Sequence, residues 1–233
     1  MTSRAARPVG RGPVTDVVVV PGAPLLLPEY QGRTSADAGL GTACLAAVRA
    51  AVATASHVVV VHATDREPRS TKPPVGRRVA DVLLAASPLA ASPLHVEHVA
   101  VAWDAPVADC VALGRALAGG PGDGSAEGRG TTLLVVADGS ARRTEKAPGH
   151  LDPRAAAVDD ALVDAVRASA EGGLQRLLDL DPDLCAALLV AGRAPLQVLA
   201  GAVEDVPLTV ASLEVSDPFG VLYVVAHLSR RPT

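Results

Sequence analysis

Residues 131–149 read TTLLVVADGSARRTEKAPG, and this stretch decides how the chain folds. The apolar run 131–137, dominated by Thr, Leu and Val, reads as a buried strand. It ends at Asp138-Gly139-Ser140, and three cations, Arg142, Arg143 and Lys146, follow within five residues. A dense polar cluster at the carboxyl end of a buried strand is where open α/β sheets place ligands.

Working outward, strand-like segments recur at 14–20, 57–63, 95–102, 208–215 and 221–228, with helical patterns between most of them. The first helix is expected over about 37–55 and the second over about 75–86, after the polar, Pro-rich loop 64–74. Asp104 with Pro106, Asp152 with Pro153 and Asp181 with Pro182 read as helix starts, because Asp accepts free backbone N–H groups and Pro needs none. The helix after Asp152 places Val158, Leu162, Val163 and Val166 on one face, a stripe that should pack on a sheet. Gly119 and Gly192 read as residues just past helix ends.

Alternating strands and helices predict an α/β fold: one domain over 14–233, a mostly parallel sheet with helices on both faces, preceded by a disordered tail at 1–13. The last two strand segments are joined by only Ser216-Asp217-Pro218-Phe219-Gly220, too short for a crossover helix. They should form an antiparallel hairpin, which makes the sheet mixed. The Gly-rich stretch 119–130 has almost nothing to bury and reads as a mobile loop.

At 233 residues the chain can bury a full core without staples. Hydrophobic residues make up 49% but aromatic residues only 2%, so the core must be Val, Leu and Ala, and no row of rings exists on which bases could stack. A formal charge of −4 argues against a polyanionic partner, so no nucleic acid is expected, although a local basic cluster still suits a small anion. Cys44, Cys110 and Cys185 are far apart, odd in number and without a CxxC spacing, which predicts buried thiols rather than disulfides or a zinc site. Met1 to Pro13 carries Arg4, Arg7 and Arg11, but Pro21, Gly22 and Pro24 break the apolar run that follows, so no secretory leader is read there. No stretch has the length of a membrane-spanning helix, and a soluble cytoplasmic chain with no membrane partner is the expectation. Leu-rich and Val-rich patches leave a homo-oligomer open.

The cluster itself predicts a binding site for a carboxylate or phosphate. Guanidinium forks match such groups bidentately, and the backbone N–H groups around Gly139 suit an anion. Asp138, Ser140, Arg142, Arg143, Glu145 and Lys146 are its candidate residues. Ser140 is not in a strand-elbow-helix context and has no His placed by sequence to activate it. The Gly-rich loop lacks the Gly-Lys-Ser/Thr ending of a phosphate-binding loop. His95 and His98, three residues apart on a strand, point to opposite faces, and His57 and His227 read as edge residues.

The segment DGSARRTEKAPGHLDPRA, Asp138 to Ala155, resembles the signature of an actinobacterial branch of the LigB-like superfamily of class III extradiol ring-cleavage dioxygenases. Pro21-Gly22-Ala23-Pro24-Leu25-Leu26-Leu27-Pro28-Glu29 resembles that group's PHPPLLVPE opening. The resemblance spans the chain after about residue 14. It implies an α/β domain whose active members hold a ferrous ion with two His and one Glu, open to a catechol and dioxygen, with another His as acid and base. The first His position falls on Gly22, and the second on His62 within Val61-His62-Ala63-Thr64, which is similar to the family's HAT. The carboxylate position falls near Gln197, on a late helix matched loosely to 191–201, and the acid-base His falls at about Arg142. Three of these four positions hold residues that cannot do the family's chemistry, since a guanidinium does not deprotonate and glycine has no ligand atom.

The resulting expectation is a dioxygenase-fold protein without the iron site. Its pocket, lined by Asp138, Ser140, Arg142, Arg143, His62 and Gly22, binds a small anionic molecule or a protein partner. No cofactor is expected, with His62 as the weak metal candidate. The alternative is an active metal-dependent oxygenase or hydrolase using Fe(II) or Zn, with His62 joined by Asp65 or Glu67. A purely structural role within a larger assembly is the third reading.

Overall fold

The computed structural model describes residues 12–30, 38–66, 70–87, 94–118 and 130–230. Most of the tail expected at 1–13 and of the loop expected at 119–130 lies outside these residues, as do Gly119 and Glu67.

Six strands form one sheet: β1 (Val14–Val20), β2 (His57–Thr64), β3 (His95–Ala102), β4 (Thr131–Val136), β5 (Leu208–Ser216) and β6 (Tyr223–Arg230), in the order β3-β2-β4-β1-β6-β5. β3, β2, β4 and β1 are parallel neighbours, whereas β6 runs antiparallel to both β1 and β5. The mixed sheet and the C-terminal hairpin thus match the sequence reading. Gly220, at a φ of 69°, makes the turn between β5 and β6 that a side chain would strain.

Successive strand residues point to opposite faces, so the Val and Leu runs feed two cores at once. Val18, Val20, Val58, Val60, Leu134 and Val136 face α1 (Ala38–Val52) and α2 (Val75–Ala85). Val17, Val19, Val59, Val61, Leu133 and Val135 face α3 (Val107–Leu117), α4 (Ala155–Arg167), α5 (Pro182–Ala187) and α6 (Arg193–Ala202). In α4, Val158, Leu162, Val163 and Val166 are all buried on that side, as their spacing requires. α3 and α6 touch through glycine: a Cβ on Gly114 would lie 2.2 Å from the Val198 carbonyl oxygen, and one on Gly201 would lie 2.7 Å from that of Val111.

Of the three Asp-Pro starts, one caps its helix. Asp181 Oδ1 accepts the Leu184 N–H at 2.7 Å and begins α5. Asp104 instead accepts both bonds from Arg66 Nε, and α3 starts after Pro106 with no side-chain cap. Asp152 pairs with Arg154, which occupies the cap position of α4. At Asp104 the Arg66 guanidinium takes the carboxylate, whereas Asp152 accepts both the backbone N–H of Arg154 at 3.0 Å and its guanidinium, one residue before the helix begins. Gly192 does not follow a helix; it precedes α6, where its N–H donates to the Asp138 carbonyl at 3.0 Å. His57 and His227 are not edge residues either. They are buried on β2 and β6, which both lie inside the sheet, and His227 Nε2 lies 2.8 Å from Asp16 Oδ1.

Candidate functional site

The parallel strands β1, β2 and β4 end together at Val20, Thr64 and Val136, and the polar segment after β4 starts at that edge. Two cavities open beside it. A cleft of about 630 Å³ is lined by Tyr30, Thr64, Asp65, Lys72, Arg78 and Trp103, among others. A smaller, apolar cavity of about 230 Å³ is lined by Trp103, Cys185, Ala186, Leu189, Val190 and Ala191. Trp103 and Ala191 line both, so the two adjoin at these residues.

Most of the DGSARR segment is committed to holding itself in place. Ser140 is fully buried; its Oγ donates to the Leu188 carbonyl at 2.8 Å and accepts from the Arg142 N–H at 3.1 Å. Asp159, fully buried on α4, accepts the Ser140 N–H at 2.8 Å on one oxygen and Arg143 Nη1 at 3.1 Å on the other. Arg143 also bonds Asp217 at 2.8 Å. Burial pushes the Asp159 carboxyl upward, against the bonds from Ser140 and Arg143 that pull it down. The structure therefore ties Ser140 and Arg143 to α4 and to the turn between β5 and β6. Glu145 and Lys146 line a separate groove by that turn, with Pro218 and Phe219.

Arg142 differs. Among the described residues its guanidinium makes no hydrogen bond or ion pair, although its charge helps hold the Asp152 carboxyl down, and its Nε is buried without a partner. Its stem packs against Gly149: a Cβ there would lie 2.6 Å from Arg142 Cγ and 2.7 Å from Leu189 Cδ1. The Arg142 stem and Leu189, which lines the apolar cavity, thus close on Gly149 from two sides. Leu189 holds a left-handed φ of 57° and stays 45% exposed, an unusual conformation for a Leu.

Asp138, Gly22 and His62 gather on the α2 side of the same edge. The Gly22 N–H donates to Asp138 Oδ1 at 2.9 Å, and a Cβ on Gly22 would lie 3.2 Å from Asp138 Oδ2. Gly76, at the start of α2, faces both this spot and His62: its Cβ would lie 3.2 Å from His62 Cβ. Burial pushes the Asp138 carboxyl up to about 7, with the single Gly22 bond opposing. His62 is buried, and burial holds its imidazole below the usual range. Its Nδ1 lies 3.2 Å from the Ala63 carbonyl, which places the proton on Nδ1.

Gln197 does not join them. It is fully buried, with Oε1 accepting from Arg193 and Nε2 donating to the Leu177 and Leu180 carbonyls. Asp65 lines the large cleft. Among the described residues no three His, Cys, Asp or Glu side chains converge as metal ligands. No described helix is long and apolar enough to cross a membrane.

Sequence reasoning missed Trp103, Leu189 and Asp159. The first had a signal, since the chain's one tryptophan follows directly on a strand end. So did Asp159, an acid set among the apolar positions of α4. Leu189 gave none.

Cys185 lines the apolar cavity, but burial pushes its thiol up to about 11, and burial raises Cys110 as well. A thiol that high is a poor nucleophile. A thiol reagent is expected to label no cysteine in the native protein at pH 8 and all three after denaturation.

Set against known proteins, the chain matches no family model and no curated protein.

Proposed function

We propose that this protein binds a small organic anion, with its carboxylate on Arg142 and its apolar body against Trp103 and Leu189. The observation that carries this reading is the uncommitted guanidinium. Every other polar group of the DGSARR segment beyond Asp138 has a structural partner nearby or faces another groove, whereas Arg142 Nε is buried without one, on a stem that shares the Gly149 contact with the cavity-lining Leu189. A carboxylate supplies the two acceptors that such a fork matches.

On this proposal the chain is a LigB-like, extradiol dioxygenase-fold protein that no longer uses iron. Support comes from the donor set: Gly22 offers no ligand atom, the Gln197 amide is spent on Arg193 and two carbonyls, and Arg142 does not deprotonate. The three buried free cysteines favour a reducing compartment, and we place the protein in the cytoplasm.

Thermal melting in the presence of benzoate and hexanoate, against benzamide and hexanamide, tests the binding. The carboxylates are expected to raise the melting temperature with concentration and the amides are not. Equal effects of acid and amide, or none from either, would refute it. Iron analysis of protein purified anaerobically with iron supplied tests the second part. Well under one iron per chain is expected, and near-stoichiometric iron would contradict it.

A further inference from the structure

The sheet has two edges, and the chain treats them differently. β3, at one edge, carries His95, Glu97 and His98; His98 Nε2 lies 3.1 Å from Asp81 Oδ1 on α2, and Glu97 Oε2 lies 3.6 Å from His57 Nε2. Charged side chains of this kind discourage a further strand from pairing. β5, at the other edge, runs for nine residues, LTVASLEVS, with Glu214 as its one charge and neither Lys nor Pro. Among the described residues only β6 pairs with it, so its outer row of backbone N–H and C=O groups faces away from the sheet.

The side chains of β5 are sorted between its two faces. Val210, Leu213 and Val215 stand opposite Leu228, Ala226 and Val224 of β6, on the side of the core covered by α3 to α6. Val210 and Val215 are nonetheless 37% and 39% exposed. Ser212 and Glu214 stand opposite His227 and Val225, on the α1 side. There a groove of about 240 Å³ runs between the strand and Ala43, Ala46 and Ala50 of α1. A register shift between Val210 and Ser212 leaves 212–216 as the regular stretch.

We propose that this edge joins two copies of the chain, their β5 strands pairing antiparallel about a two-fold axis at Leu213, so that two six-stranded sheets become one of twelve strands. A two-fold brings a surface to itself, and an antiparallel edge is self-complementary because outward donors of one copy meet outward acceptors of the other. Charge selects the position of the axis. With Leu213 opposite its own copy, each Glu214 stands opposite the other copy's Ser212, whose hydroxyl donates to the carboxylate. An axis one residue further on would set the two carboxylates directly against each other, which is destabilising. On the opposite face the two Leu213 side chains meet, flanked by the exposed Val215.

The area is sufficient. Nine residues of strand span about 30 Å, and an edge with a helical layer about 10 Å thick on either side is roughly 20–30 Å deep. Here α1 flanks one side, and α4 with Ser169–Glu171 flanks the other. Each copy then covers roughly 600–900 Å², against the about 800 Å² typical of a stable interface. The candidate ligand site stays open in the pair, since β6 and β1 separate β5 from β4.

Sedimentation equilibrium of the full chain at micromolar concentration is the first test, with twice the mass of one chain expected. Leu213→Lys sets two ammonium groups against each other on the axis, while its stem still covers apolar surface. With an unchanged circular dichroism spectrum, this variant is expected to raise the dimer dissociation constant about tenfold or more. Register is read by cross-linking, which decides the matter even where the lysine variant does not fold. Leu213→Cys is expected to link to its own copy under mild oxidation, because directly opposed residues bring their Cα atoms to about 4.5–5.5 Å, within disulfide reach. Glu214→Cys, diagonal to its copy, is expected to link roughly tenfold more slowly. The three native thiols are buried and should give no link. A monomeric wild-type chain would overturn the proposal and leave the edge to a different partner. A dimer that a folded Leu213→Lys leaves intact, or one that Leu213→Cys does not link, would overturn it as well.

Discussion

Replacing Gly114 with alanine is expected to cost about 2–3 kcal/mol, read as a fall of roughly 5–10 °C in the unfolding midpoint. The new Cβ would lie 2.2 Å from the Val198 carbonyl oxygen, 2.7 Å from the Ala202 nitrogen and 2.8 Å from the Gly201 carbonyl carbon. All three are backbone atoms of α6, so no side chain can swing aside. Instead α3 must move away from α6, opening the core that both helices cover. Gly41→Ala, within α1, is the matched control, since its nearest neighbour would be a Leu26 methyl at 3.9 Å. That change is expected to stabilise by a few tenths to about 1 kcal/mol, because alanine has the better helix propensity. Midpoints that move together in the two variants would contradict the close α3–α6 approach.

The second large effect concerns Asp138 and depends on pH. Its carboxyl is pushed up to about 7 in the folded protein, against about 3.9 in an unfolded chain. The folded state thus holds this proton more tightly than the unfolded one does. The stability it confers is complete below about pH 4 and is lost as pH rises through about 7. By pH 8 the cost of ionising the buried carboxyl is on the order of 2–4 kcal/mol. Asn keeps an oxygen to accept from the Gly22 N–H but carries no charge to desolvate. Asp138→Asn is therefore expected to unfold at a higher temperature than wild type at pH 8, with the difference falling to roughly a third at pH 5 and to little below about pH 4. His62 titrates in both proteins and largely cancels in the comparison. A variant less stable than wild type at pH 8 would show that the folded state favours the ionised carboxylate.

The sheet was legible in the sequence because its strands are buried on both faces and leave long β-branched runs. The short connector at 216–220 likewise announced the hairpin. Helix starts were harder to read. Asp104 and Asp152 carry the right chemistry for caps, yet Arg66 claims the first across the fold, which local sequence does not announce, and Arg154, two residues on, holds the second. Gly192 misled for a similar reason: it is small because the Asp138 carbonyl and Ala137 lie against it, not because a helix ends there.

The candidate site was half legible. Strand-end logic located the polar segment, but composition could not separate Arg142 from Arg143. Adjacent and chemically identical, they differ only in that Asp159 and Asp217 surround one of them. Trp103 and Leu189, which give the site its apolar wall, come from the ends of β3 and α5, far apart in the chain and united only by folding.

Trp103, the chain's one tryptophan, sits 42% exposed where the two cavities meet, so its fluorescence reports on the proposed site alone. The most direct test of the anion-binding claim is to titrate hexanoate against that signal in the wild-type protein and in Arg142→Met. The expected result is a saturable change in wild type and roughly 10- to 100-fold weaker binding in the variant, the worth of a charge-assisted hydrogen bond. A wild-type signal that does not saturate, or equal affinity in the two proteins, would contradict it.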